Sequence, residues 1–214
     1  LMHINNEYRR EGDLDPKKLL QLEDITEIIV RSLDSLLDYQ NYPLKAAELT
    51  SKNRRTLGIG VTNLAYYLAK NNAKYSDGSG NELIHKTFEA LQFYSLKASN
   101  KLANDFGACP LFSETQYAKG ILPIDSYKKD IDEFCDTKLN LDWDSLRKDI
   151  KATGLRNSTL TALMPCESSS QISNSTNGIE PPRGFVSIKQ SKDGILKQVV
   201  PEYEKLHKKY ESLW

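Results

Sequence analysis

The fold class is decided by one stretch, Thr159-Leu160-Thr161-Ala162-Leu163-Met164-Pro165-Cys166-Glu167-Ser168-Ser169-Ser170-Gln171. Its first part, residues 159–164, is a β-capable run that Pro165 stops. The serine-rich segment after Pro165 could begin a helix, so the stretch predicts a strand, a loop and a helix N-terminus in succession. In a chain whose other apolar residues follow a helical period, this change of period indicates a mainly helical unit with a few strands.

The loop in this stretch, from Cys166 to Ser169, has the residue types of an anion-binding site. Small side chains let successive backbone N–H groups converge on one phosphate, hydroxyl groups add donors, and a helix dipole favours negative charge. The alternative is a solvated surface connector, which composition alone favours because serine tracts are common in such loops. The residues by themselves leave both interpretations open.

Two other candidates for chemistry have weaker support in the sequence. Cys166 could be a nucleophile, but the histidines are scattered and no local signature connects one of them to it, so a buried or loop cysteine is the default interpretation. Arg54-Arg55 could hold a phosphate or carboxylate. Paired arginines near a helix are more often ordinary ion-pairing groups.

Outside the deciding stretch, apolar residues recur mainly at helical spacing. A Gly residue after a periodic segment marks its end, as Gly107 and Gly154 do here. A second β-capable run covers residues 185–189. The predicted helices are 22–38, about 61–70, about 81–105, about 143–152 with Asp142 as its cap, and a last one that Pro201 opens.

Charge and composition exclude several classes of protein. The 214 residues include 29 Lys and Arg and 29 Asp and Glu, interleaved along the chain, so binding to nucleic acid or anionic lipid is not expected. No apolar run approaches the roughly 18 residues of a membrane span, and no signal peptide is visible, which predicts a soluble cytoplasmic protein. The spacing of the cysteines at 109, 135 and 166 is that of neither a disulfide scaffold nor a zinc site.

Several longer motifs, in one order, resemble the large subunit of class I ribonucleotide reductase. The similarity covers about residues 22–214 and is greatest to the enterobacterial and phage branch. The motifs are Arg54-Arg55-Thr56-Leu57-Gly58-Ile59-Gly60-Val61, Tyr75-Ser76-Asp77-Gly78, Gly107-Ala108-Cys109-Pro110, Ala118-Lys119-Gly120-Ile121-Leu122-Pro123, Gly154-Leu155-Arg156-Asn157-Ser158, Ala162-Leu163-Met164-Pro165, Ser169-Ser170-Gln171-Ile172-Ser173-Asn174 and Asn177-Gly178-Ile179-Glu180-Pro181-Pro182-Arg183-Gly184.

The resemblance implies a fold and a site. Members of this family reduce ribonucleoside diphosphates to deoxyribonucleotides in a ten-stranded α/β barrel, so residues 22–214 are expected to form the later part of that barrel, after an irregular segment 1–21. The matching loop of the family binds the substrate's phosphates, which implies substrate-binding roles for Cys166, Glu167, Ser168 and Ser169. Cys166 stands where the family commonly has Ser or Thr, so a hydroxyl contact is in doubt and a backbone N–H contact is not.

The resemblance also implies what this chain does not supply. The radical cysteine and the redox cysteine pair of the family have no counterpart here, so no catalytic residue, metal ligand or cofactor is assigned, and the radical cofactor lies in a separate small subunit. The implied partners are the remaining part of the large subunit, the small radical-generating subunit, and thioredoxin or glutaredoxin through a tail that does not match this chain. We expect an interrupted or separately encoded piece that is inactive alone; a non-catalytic structural or interaction module is the alternative.

Overall fold

The computed structural model describes residues 2–3, 16–135, 138–192 and 194–213. Most of these residues are helical or in turns, and four short strands form two small sheets. None of the described helices is both long and apolar enough to cross a bilayer. The elements are β1 Met2–His3, α1 Pro16–Tyr39, α2 Lys45–Arg54, β2 Val61–Thr62, α3 Leu64–Lys70, α4 Asn81–Phe106, α5 Trp143–Thr153, α6 Glu167–Ile172, β3 Val186–Ser191, β4 Gly194–Val199 and α7 Tyr203–Leu206.

The described residues belong to two compact units. The helical unit takes its residues from 14–58 and 83–161, and the hairpin unit takes its residues from 1–13, 59–82 and 162–214. The helical unit contains α1, α2, α5 and nearly all of α4. The hairpin unit contains both sheets, α3, α6 and α7, and therefore also the stretch that follows Pro165.

Three predicted helices are confirmed in the helical unit. Helix α1 contains the predicted segment 22–38, and α4 contains the predicted 81–105 and ends before Gly107, whose φ is +84°. Helix α5 begins after Asp142, whose Oδ1 accepts a hydrogen bond of 3.0 Å from the Ser145 amide. Gly154, with a φ of +82°, ends α5 because glycine adopts this conformation without steric conflict.

A buried charge network joins three segments of the helical unit. Arg55, whose side chain is 4% exposed, donates to both carboxylate oxygens of Asp34 at 2.7 and 2.9 Å. It also donates to Asp38 at 2.9 and 2.7 Å. Asn157 donates from Nδ2 to Asp34 at 2.9 Å and to the Arg55 carbonyl at 3.0 Å. Because all three sequence segments contribute polar groups that water does not reach, the network fixes their relative positions.

The charges of this network support one another. Burial disfavours the charged form of Arg55, but hydrogen bonds to Asp38 and Asp34 raise its pKa above the ordinary value. The same guanidinium hydrogen bond holds the pKa of Asp38 below its usual range. Arg54, by contrast, forms an exposed 2.8 Å ion pair with Glu114. Both arginines therefore have carboxylate partners, as the interpretation of them as ion-pairing groups predicted.

The hairpin unit contains a parallel and an antiparallel strand pair. Strand β1 pairs with β2 in parallel, with Met2 opposite Val61. Strands β3 and β4 form an antiparallel hairpin in which Val186 lies opposite Val199 and Ser191 opposite Gly194. A small core forms where α3 packs against the segment around α7, and its buried members are Ala65, Tyr66, Ala69, Leu206 and Tyr210.

Two predictions at the ends of the chain are wrong in part. The irregular segment 1–21 is too long, because α1 begins at Pro16 and Met2–His3 is a strand; the residues between them lie outside the described ranges. Proline fits the first helical turn, where its missing N–H leaves no bond unmade. The last helix is only Tyr203–Leu206, since Glu202 before it has a φ of +49° and its C-cap is His207.

The strands and short helices differ further from prediction. Residues 159–164 contain a single-residue bridge at Thr161 instead of a strand. Two backbone hydrogen bonds flank this bridge. The Leu57 amide donates to the Thr159 carbonyl at 2.9 Å, and the Ala162 amide donates to the Ile59 carbonyl at 3.0 Å. The predicted helix 61–70 divides into β2 and α3, because Asn63 between them has a φ of +77°.

The helix-rich α/β class is confirmed by these elements, whereas the ten-stranded barrel stays a prediction. Each of the two described sheets has two strands. The β-capable run 185–189 is confirmed as β3, but β4 was not predicted, nor was α2. Helix α2 has no buried residue and so lacks the apolar period by which a helix is recognised in a sequence.

The buried network predicts unequal effects for the two neighbouring arginines. Arg55→Met leaves Asp34 buried without its main partner, so we expect the free energy of unfolding to fall by about 3–5 kcal/mol. Arg54→Met removes only an exposed ion pair and should lower it by about 1 kcal/mol or less. Urea unfolding of the two variants and the unchanged chain measures the difference. Equal losses of unfolding free energy in the two variants would show that the buried network does not stabilise the helical unit more than an exposed ion pair does.

Candidate functional site

The predicted anion loop lies at the start of α6 in the hairpin unit. Cys166 precedes the helix, and its carbonyl accepts the Ser170 amide at 2.9 Å. The amides of Glu167, Ser168 and Ser169 donate to no acceptor in the described part of the chain. The first amides of a helix have no intrahelical acceptor, so these three are available to a ligand. The structure thus places three successive N–H donors where the sequence predicted an anion trap.

The four predicted site residues differ in exposure. Glu167 and Ser168 are exposed, Ser169 is half-buried, and Cys166 is buried. The Glu167 carboxylate lies 3.6 Å from Lys189 Nζ on β3. Short sequence separation keeps the four residues together, but only the last three offer free backbone donors.

The amide and the thiol of Cys166, like its carbonyl, have partners within the protein. Its amide donates to Asn177 Oδ1 at 2.6 Å, and its thiol lies 3.0 Å from the Met164 carbonyl oxygen and 3.9 Å from that of Val61. Burial raises the pKa of the Cys166 thiol, which disfavours the thiolate that a nucleophile requires. The Cys166 amide, which the resemblance led us to expect at the substrate's phosphates, donates to Asn177 in this structure.

The segment that leads into the loop passes close to two glycines. A Cβ atom on Gly60 would lie 2.6 Å from the Ala162 carbonyl oxygen and 2.6 Å from Met164 Sδ. A Cβ on Gly178, whose φ is +51°, would lie 3.3 Å from the Met164 carbonyl oxygen. The backbone of residues 162–164 therefore lies close to the backbone at Gly60 and at Gly178, which sets the path into the loop.

Polar side chains from outside the deciding stretch also hold α6. Gln198 on β4 donates from Nε2 to the carbonyls of Ser170 at 3.2 Å and Ser175 at 3.3 Å. Asn177 accepts the Cys166 amide, as described above. Sequence reasoning missed both residues. The Asn177-Gly178 dipeptide is a turn signal that could have pointed to the turn there, but no sequence signal indicates the contacts of Gln198.

The groups in this arrangement are better suited to binding than to catalysis. It presents N–H donors and serine hydroxyls, which suit the oxygen atoms of an anion. The described side chains at the loop include no histidine, and the thiol there is buried and held to a carbonyl. The loop can thus hold an anionic group in place, whereas acid, base or thiolate chemistry has no support from its geometry.

A comparison with protein families identifies the chain. Residues 5–212 match the family model described as "Ribonucleotide reductase, barrel domain". The chain belongs to this family. The resemblance found in the motifs is thereby confirmed, and the ribonucleotide reductase family is one of oxidoreductases.

Similar proteins within the ribonucleotide reductase family come from bacteria and a phage. The chain is 70% identical over 185 residues to the ribonucleoside-diphosphate reductase subunit alpha of Haemophilus influenzae, which covers 86% of this chain and 24% of that protein. Identity is 68% over 178 residues to subunit alpha of reductase 1 from Escherichia coli, covering 83% and 23% of the two proteins. For subunit alpha of phage T4 it is 53% over 194 residues, covering 91% and 25%. The chain spans about a quarter of the length of these curated relatives.

The close passage at Gly60 predicts that this position does not accept a methyl group. Gly60→Ala would force the backbone at residue 162 or the Met164 side chain to move, so we expect the free energy of unfolding to fall by about 1–3 kcal/mol. Gly184→Ala is the matched control, since a Cβ there meets no atom within 4 Å. Urea unfolding of both variants provides the measurement. A loss at residue 60 no greater than that at residue 184 would show that the passage can widen freely.

Proposed function

We propose that this chain contributes the substrate-phosphate-binding loop of a ribonucleoside-diphosphate reductase alpha subunit, and that residues 22–214 form the later part of its ten-stranded barrel. The observation that carries the proposal is the set of free amides at Glu167, Ser168 and Ser169. Membership of the ribonucleotide reductase barrel family supports it, because the relatives are reductases whose names specify ribonucleoside diphosphates.

The diphosphate of a nucleotide matches the donors of this loop. Its oxygens accept several hydrogen bonds at once, and successive backbone N–H groups can converge on one phosphate. Ser168 and Ser169 add hydroxyl donors beside those amides. Cys166 precedes the helix and, in this proposal, does not contact the ligand directly, since its amide and thiol both have partners within the protein. A cysteine in place of Ser or Thr at this position is consistent with such a structural role.

The chemistry of ribose reduction would come from other polypeptide segments. None of the three cysteines forms a disulfide. Burial raises the pKa of both Cys109 and Cys166, so neither is suited to act as a thiolate. We therefore assign the radical and reducing thiols to the remaining part of the alpha subunit. The further partners in this proposal are the small radical-generating subunit and either thioredoxin or glutaredoxin. The proposed compartment is the cytoplasm.

The division of roles predicts that the chain alone does not reduce ribonucleoside diphosphates. Turnover should appear when the chain replaces the matching segment of the Haemophilus influenzae alpha subunit and the small subunit and a dithiol reductant are supplied. Formation of deoxyribonucleotide, separated chromatographically, measures both reactions. Activity of the chain alone would refute the division of roles, and an inactive but folded chimaera would favour a structural module instead.

The backbone character of the site predicts different effects for two neighbouring serines. In the chimaera, Ser168→Ala removes one hydroxyl and should weaken diphosphate binding by about 1 kcal/mol. Ser169→Pro should weaken it far more, because proline has no N–H and restricts the loop's dihedral angles. Titration with ADP measures the two dissociation constants. Equal effects, or no effect of either substitution, would show that the backbone of this loop does not hold the phosphates.

A further inference from the structure

An open cavity of about 670 Å³ lies in the helical unit, within the size range of small-molecule sites. The described residues that line it include one cation, Arg54, and no carboxylate. Its wall is otherwise divided between hydroxyl or amide side chains and the apolar Ile121, Leu122 and Pro123. We propose that this cavity binds a small organic carboxylate, whose oxygens meet Arg54 and whose body contacts the apolar wall. The inference is independent of the phosphate loop, which belongs to the hairpin unit.

Arg54 can hold a ligand carboxylate because most of its N–H groups are unused. Its Nη2 donates to Glu114 Oε2 at 2.8 Å, and the guanidinium has no other acceptor among the described residues. A guanidinium carries five N–H donors, arranged to match the two oxygens of a carboxylate. The pair with Glu114 is exposed, so it contributes little to stability and can be shared or exchanged at small cost. Glu114 thus shows which chemical group Arg54 binds and leaves donors for a second one.

Neutral donors line the same cavity. Thr56 Oγ1 and Ser158 Oγ lie 3.2 Å apart. Only one hydrogen can lie between two hydroxyl oxygens, so the hydrogen of the other hydroxyl remains available to a ligand. The Tyr117 hydroxyl has no hydrogen-bond partner among the described residues. Burial raises the pKa of Tyr117, which keeps this hydroxyl protonated and able to donate. The cavity therefore offers an oxyanion several donors besides the guanidinium.

The wall that residues 115–123 form is held in place by hydrogen bonds. The Gln116 carbonyl accepts the Ile121 amide at 3.0 Å, which closes the turn between them. Just beyond this wall, both carboxylate oxygens of Asp125 accept hydrogen bonds from Arg147 of α5. A wall that is fixed before a ligand arrives loses little conformational entropy on binding. The cavity is therefore preorganised on its apolar side.

The test titrates the chain with benzoate, and with benzamide as the neutral probe of the same shape, in ¹⁵N–¹H spectra. Benzoate should perturb the amides of residues 115–123. Arg54→Gln should weaken benzoate binding at least about tenfold, because a hydrogen bond to a charged group is lost. The same substitution should change benzamide binding by less than about twofold, since the neutral probe forms no charged hydrogen bond with Arg54. Glu114→Gln should strengthen benzoate binding about two- to fivefold, because it removes the competing carboxylate from the exposed pair.

The control variant is Arg31→Gln. Arg31 on α1 also forms an exposed ion pair, with Asp105 at 3.1 Å, and it does not line the cavity. Its substitution should leave the benzoate affinity unchanged. The titration is repeated on the chimaeric alpha subunit, where benzoate should bind as it does to the chain.

Each outcome decides the proposal. If benzoate leaves residues 115–123 unperturbed, or if Arg54→Gln binds it with full affinity, Arg54 only pairs with Glu114 and the proposal is wrong. Equal affinities for benzoate and benzamide would show an apolar cavity without anion recognition. Phenyl phosphate that binds more tightly than benzoate would overturn the assignment to carboxylates, and loss of benzoate binding in the chimaera would show that another segment covers the cavity. If Arg54→Gln does not fold, the gain in affinity expected for Glu114→Gln decides.

Discussion

The hairpin unit depends on a close backbone passage: residues 162–164 lie near both Gly60 and Gly178, and a Cβ on Gly60 would lie 2.6 Å from the Ala162 carbonyl oxygen. This passage delivers Cys166 to its position, where the thiol and amide both find acceptors. The next three amides are then left free at the start of α6 because a helix begins there. The candidate function therefore follows from backbone geometry more than from the chemistry of the serine side chains.

The helical unit depends on charge instead of close backbone contact. Asp34, Arg55 and Asn157 come from distant parts of the sequence and meet in a buried network. A buried ion pair is tolerated when its remaining donors and acceptors are satisfied. Here Asp38 accepts from Arg55, Arg156 donates to Asp34, and the Arg55 carbonyl accepts from Asn157. Arg55, from the pair considered as a phosphate-binding candidate, proves to be part of this internal support, whereas Arg54 forms an exposed ion pair with Glu114.

Sequence reasoning succeeded where structure is local. The helices α1, α4 and α5 were predictable because their apolar period, the Asp142 cap and the stops at Gly107 and Gly154 are all written within a few residues. It failed where a distant contact decides. Asn63 and Glu202 adopt left-handed conformations that break predicted helices. Asparagine tolerates this conformation, which is only a weak signal, and nothing local marks Glu202. At the candidate site, the loop 166–169 was predictable from its composition and its resemblance to the ribonucleotide reductase family, whereas the bond from Cys166 to Asn177 joins residues whose pairing only the fold reveals.

The central claim is that backbone amides of Glu167, Ser168 and Ser169 hold the substrate's phosphates. A crystal structure of the chimaeric alpha subunit with bound ADP tests it most directly. The account predicts diphosphate oxygens about 2.7–3.2 Å from at least two of these three amide nitrogens, with the Cys166 amide still bonded to Asn177. A diphosphate bound elsewhere, or one held at this loop by side chains alone, would contradict the account.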